Sequence, residues 1–283
     1  MKTAPAAAEG GAGSSSSSVG GYSGVVIRVR FVGGGDTHTN DFEPQGRAAR
    51  SVGAEFVVYD GESDGELIEA LKDVDVVMAQ GHGFSPEMFS EMGDNGRCKG
   101  LVSFGHGYDT MDLESAVKNG VVLSNTASFG TEEVSNQTML HFLVCSRKFV
   151  FHDKMVKNGG WSRDHLAPMG HIVAETFGII GLGNIGRAVA RKALAFGMKV
   201  IAYDPFVSSW DAKEYGVEIV TTPQEIARRS DYVSPHVYLT DATHHMVGAE
   251  FFDLMKPTAY LINCSRGPVV DELALIDALN QKK

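Results

Sequence analysis

The sequence predicts an α/β protein built on two parallel β-sheets, each carrying helices on its faces. Apolar, β-branched runs alternate with helical patterns twice, over residues 25–123 and again from residue 177 to residue 263, and strand–helix–strand alternation implies parallel pairing. The 283 residues exceed one domain of ordinary size. A Gly-x-Gly-x-x-Gly turn at Gly181, Gly183 and Gly186 sits between a strand and a helix at the start of the second series.

Residues 1–21, MKTAPAAAEGGAGSSSSSVGG, bury too little apolar surface to offset their ordering entropy and are expected to form a disordered tail. Order begins with the run Val25 to Val32, followed by strands at Glu55 to Tyr59, Val74 to Ala79, Leu101 to Phe104 and Val121 to Leu123. Leu67, Ile68 and Leu71 recur at helical spacing before the third of these. Residues 22–128 are therefore read as a first domain. The longest helical candidate covers 131–157, with Thr131 as N-cap and Glu132 and Glu133 in the first turn. It opens a second domain, 129–283, with strands at Phe177 to Gly181, Lys199 to Asp204, Val217 to Val220, Asp231 to Val237 and Ala259 to Asn263. A helix containing Leu273, Leu275, Ile276, Ala278 and Leu279 follows.

Composition narrows the function. The formal net charge is -10, and no basic stripe exists to neutralise phosphates, which argues against a nucleic-acid partner. Cys98, Cys145 and Cys264 are an odd number at wide spacing, unlike a disulfide framework or a zinc site. No apolar run reaches the ~18 residues of a membrane span and no signal segment opens the chain, so a cytoplasmic protein without membrane contact is expected. His244 and His245 are adjacent and do not converge on one metal ion.

The glycine turn carries the chemistry. Gly181 permits a tight turn, Gly183 lets backbone approach a pyrophosphate and Gly186 lets the helix pack close to the strand, while the helix N-terminus offers N–H groups to phosphates. Asp204 ends the next strand, 18 residues beyond Gly186, where a carboxylate accepts ribose hydroxyls and repels a 2′-phosphate. NAD is therefore expected in preference to NADP. A glycine turn that only packs a βαβ unit, or the similar loop of a methyltransferase, is the alternative reading.

Four stretches resemble the D-isomer-specific 2-hydroxyacid dehydrogenases: Gly105 to Asn125, the glycine turn, His236 to Met246 and Met255 to Leu275. The resemblance implies a flavodoxin-like substrate domain, a doubly wound Rossmann domain that holds NAD and lacks its last strands, and an active-site cleft between them. It implies that Arg266 holds and polarises a small 2-oxo or 2-hydroxy acid, with Asn184 and Ile185 at the pyrophosphate and Cys264 and Ser265 on the nicotinamide side. The loop Gly105, His106, Gly107, together with Gln80 to Gly83, would receive the substrate carboxylate through N–H groups. For Arg266 the bland alternative is a surface arginine paired with an acid such as Asp271. His82 and His106 are read as hydrogen-bonding wall residues. Pro235 and Tyr238 depart from the family's His-x-Pro-Leu-Thr region, where leucine and proline are usual. A homodimer is implied, with residues 131–170 a candidate interface. The family's acid/base glutamate and histidine, expected some tens of residues beyond the arginine, have no counterpart before Lys283, so impaired activity is expected of the isolated chain. A non-catalytic NAD(H) sensor resembling a corepressor, or a non-functional fragment, is the competing class.

Overall fold

A computed structural model describes residues 28–33, 42–59, 63–162 and 169–281. The tail expected at 1–21 and the first residues of the Val25 run lie outside them. The first half contains β1 (Arg28–Gly33), α1 (Glu43–Ser51), β2 (Glu55–Val58), α2 (Asp64–Leu71), β3 (Val76–Gln80), α3 (Pro86–Gly93), β4 (Gly100–Ser103), α4 (Leu113–Lys118) and β5 (Val122–Asn125). Local chemistry sets the helix starts. Ser63, Ser85 and Asp112 each accept an N–H from the first turn of the helix they precede, satisfying donors that have no partner within the helix.

All pairings are parallel and the order is β2-β1-β3-β4-β5, the flavodoxin-like arrangement. Leu67 and Leu71 of α2, Phe89 and Met92 of α3, and Val77 and Leu101 of the strands form its buried core.

The second half contains α5 (Thr131–Ser146), α6 (Phe149–Lys157), β6 (Thr176–Ile180), α7 (Asn184–Ala195), β7 (Lys199–Tyr203), α8 (Ser209–Glu214), β8 (Glu218–Ile219), α9 (Pro223–Arg229), β9 (Tyr232–Pro235), α10 (Ala249–Leu254), β10 (Tyr260–Leu261) and α11 (Glu272–Asn280). Its parallel sheet runs β10-β9-β6-β7-β8, which is the doubly wound 3-2-1-4-5 order counted from β6. The chain reverses direction across the sheet between β6 and β9, and the crevice at their C-terminal ends is where such folds bind ligands. Phe142 of α5 seals this core edge-on against Phe177 (5.7 Å) and Tyr232 (4.7 Å).

Three expectations need correction. The helix over 131–157 is two helices, because Lys148 takes a left-handed conformation (φ 47°) between α5 and α6. Thr131 is not the N-cap of α5; Gly130, at φ 72°, precedes the helix, and no side chain caps it. The strands expected at Val217 to Val220 and Ala259 to Asn263 shrink to Glu218–Ile219 and Tyr260–Leu261. Each lies at an end of the sheet and is held by a ladder on one side only.

Candidate active site

The turn after β6 is built by its glycines. Gly181 has φ 92°, and a methyl group there would press on the His236 carbonyl. A methyl group on Gly186 would strike the Gly181 carbonyl, so α7 meets the strand at backbone contact. Gly183 faces open space. It precedes α7, whose N-terminus has no side-chain cap and no acidic residue in its first turn. An uncapped helix N-terminus beside an open glycine fits a pyrophosphate, for which backbone N–H groups and the helix dipole provide the attraction.

Asp204 follows β7, and its carboxylate accepts the Leu182 N–H at 2.7 Å and the Phe206 N–H at 2.9 Å. One carboxylate oxygen thus pins the glycine turn. The sequence spacing indicated a ribose ligand and did not reveal this second duty.

Arg266 emerges beyond β10 on a loop ordered by Asn263. The Asn263 side chain accepts from the Ser265 N–H (2.9 Å) and hydroxyl (2.7 Å) and donates to the Arg266 carbonyl (2.9 Å). Arg266 does not pair with Asp271, which instead caps α11. Its Nε donates to Asp109 at 2.9 Å, across the cleft from the other sheet, and its Nη1 donates to the Ser265 carbonyl at 3.2 Å. A guanidinium has five N–H donors, so three remain for a ligand. Gly107 makes room, because a methyl group there would overlap the guanidinium.

The loop Gly105 to Gly107 has its carbonyls tied down. Thr126 donates to Gly105, Asn125 to His106 and Ser103 to Gly107. Among the described residues no internal acceptor takes the three N–H groups of this loop. His106 stacks on Tyr238 with 5.5 Å between ring centres.

One cavity of about 130 Å³ gathers His106, Gly183, Asn184, Ile185, Cys264, Ser265 and Arg266, with Val134, His236, Val237 and Tyr238 completing its wall. Gly105, Gly107, Gly181, Gly186 and Asp204 do not line it, and neither do Gln80 to Gly83. A larger hollow between α5 and α7, lined by Glu132, Arg187 and Tyr215, adjoins the cleft at Asn184. Sequence reasoning missed Asp109, Asn263 and His236. Both ring nitrogens of His236 are shielded and lack a partner, and the residue as a whole is half-buried. That burial lowers its pKa to about 4, so the ring is neutral near pH 7. His82 packs edge-on against Phe84, and His244 stacks on His245. Among the described residues no cluster could hold a metal ion and no helix is long and apolar enough to cross a membrane.

Residues 139–283 match the family model described as D-isomer specific 2-hydroxyacid dehydrogenase, NAD binding domain. The chain belongs to this dehydrogenase family. It is 34% identical over 229 residues to a D-3-phosphoglycerate dehydrogenase of Methanocaldococcus jannaschii, covering 81% of this chain and 43% of that one. It is 35% identical over 224 residues to a glyoxylate reductase of Thermococcus litoralis, covering 77% and 66% respectively. The dehydrogenase-family chain thus spans only part of these curated relatives. Among solved structures, the D-lactate dehydrogenase of Aquifex aeolicus complexed with NAD and lactic acid superposes with a TM-score of 0.79 at 30% identity, covering 90% of this chain and 74% of that one. An acyclic imino acid reductase in complex with NADPH and D-Arg gives 0.78 at 26% identity, covering 90% and 80%.

Proposed function

We propose that this chain binds NAD(H) in preference to NADP(H) and transfers hydride between it and C2 of a small D-2-hydroxy or 2-oxo acid. The observation that carries the reading is the guanidinium of Arg266, held in the same cleft as Gly183, Asn184 and Ile185 and against Gly107 of the loop whose N–H groups have no internal acceptor among the described residues. The dinucleotide would supply the hydride acceptor in oxidation and the donor in reduction. Binding and orientation fall to the chain, and the proton that accompanies the hydride passes between the C2 oxygen and water. Gly183 and the α7 N-terminus hold the pyrophosphate. Asp204 faces the adenosine ribose, and its charge disfavours a 2′-phosphate. Asn184 and Ile185 lie at the pyrophosphate, and Cys264 and Ser265 line the nicotinamide end.

Arg266 binds the substrate carboxylate through its remaining N–H groups and polarises the adjoining carbonyl, since charge-assisted bonds to a planar fork fix both position and developing charge. Asp109 holds the fork at Nε, which leaves Nη2 and one N–H of Nη1 for the carboxylate. The N–H groups of Gly105, His106 and Gly107 take the far side of the carboxylate.

A cytoplasmic homodimer completes the reading. The three cysteines are unpaired, as suits a reducing compartment. No residue of α6 is buried and Phe149, Phe151 and Val156 are exposed on it, an apolar surface that a second copy would cover. Loss of NADH absorbance with glyoxylate, pyruvate and hydroxypyruvate tests the function. Acid-dependent oxidation with at least one supports it; NADH binding without turnover on any of them reduces it to a binding protein; no NADH binding overturns it.

A further inference from the structure

Tyr238 is not used by the chemistry above, yet it reaches across the cleft. It follows β9 in the second sheet and lies on two residues of the first. Its ring is parallel to His106 within 5°, its hydroxyl is 3.2 Å from His106 Nε2, and Tyr108 packs on it at 5.2 Å. The residue stays 42% exposed, so these aromatic partners hold it, not burial in a core. It shares the cavity with Arg266 and Val134.

A carboxylate anchored at Arg266 fixes one end of a substrate, and the substituent at the other end of the carbonyl then meets whatever wall stands beside the arginine. Here that wall is a tyrosine kept in place by a stacked and hydrogen-bonded histidine. Selectivity built on a rigid wall works by clash against the larger competitor.

We propose that Tyr238 is a specificity-determining residue, closing the cleft beside His106 so that the site takes 2-oxo acids whose C2 substituent is a hydrogen, methyl or hydroxymethyl group. This rests on the reading of the cleft as a 2-oxo acid site. The hydroxyl contact orients the ring, and the ring itself excludes bulk.

The test is the affinity of the NAD⁺-saturated full chain for pyruvate and for phenylpyruvate by calorimetry, which needs no turnover. The wild type binds pyruvate at least about tenfold more tightly, a modest steric discrimination. Tyr238→Ala closes that gap by about tenfold, in line with the worth of a pocket wall, with NAD⁺ affinity unchanged as evidence of an intact fold. Tyr238→Phe keeps most of the gap. A gap of equal size in wild type and Tyr238→Ala overturns the proposal alone, as does a wild type that prefers phenylpyruvate. Failure of the NAD⁺-loaded wild type to bind either acid overturns the 2-oxo acid site and this proposal together.

Discussion

At Gly181 the backbone takes φ 92° directly under the His236 carbonyl, so two penalties meet any side chain placed there. Left-handed backbone costs an L-residue about 1–2 kcal/mol, and the contact adds to it. Gly181→Ala is expected to weaken NADH binding by about tenfold on the strain alone and to lower the urea midpoint, read by fluorescence titration and denaturation. Asp204 holds the same turn from the opposite side through Leu182. Bonds to a charged group contribute about 1.5–3 kcal/mol, so Asp204→Ala should weaken NADH by roughly 10- to 100-fold while raising the ratio of NADPH to NADH affinity. A fall in both affinities with no change in their ratio would show that Asp204 only shapes the loop. His236 adds a pH dependence. Its folded pKa of about 4 lies below the ordinary 6.5, so the unfolded chain binds the extra proton between those values. Its contribution to stability is complete above pH 6.5 and falls by about 1.4 kcal/mol per pH unit on acidification toward pH 4. Urea midpoints at pH 7 and pH 5 should therefore diverge less in His236→Gln than in the wild type.

Elements were legible where apolar periodicity was strong. The runs giving β3 and β6, the Leu67/Leu71 stripe of α2 and the strand–glycine–helix join at Gly181 could be placed from residues alone, because each is a local pattern with a direct structural consequence. The break between α5 and α6 was not. Ser146, Arg147 and Lys148 contain neither glycine nor proline, and Lys148 is held left-handed by its surroundings (φ 47°). Glycine adopts that conformation without the side-chain penalty but gives up more entropy on folding. Lys148→Gly should accordingly raise the unfolding free energy by about 0.5–1 kcal/mol, measurable by denaturant titration. An unchanged or lowered value would mean that the lysine side chain contributes more than its backbone strain costs. The shortness of β8 and β10 was equally hidden, since a strand's length depends on neighbours that the segment itself does not encode.

At the scale of the whole molecule, the cleft is made by pairs remote in sequence. Asp109 and Arg266 are 157 positions apart and His106 and Tyr238 are 132 apart, and no motif spacing joins them. The arginine and the glycine turn could be named from sequence, whereas the residues that orient the one and wall the cleft could not. The proposed homodimer belongs to this scale as well. Phe151→Glu on the exposed face of α6 should convert a dimer into a monomer in sedimentation, with NADH binding retained. The central claim is that Arg266 acts on a 2-oxo acid beside a bound dinucleotide. Its most direct test is acid-dependent NADH oxidation by the wild type and by Arg266→Gln, with NADH affinity measured alongside. The account predicts a loss in kcat/KM on the order of 100-fold or more, as expected for two or more bonds to a charged group, with NADH affinity preserved. Equal kcat/KM in the two proteins would contradict it.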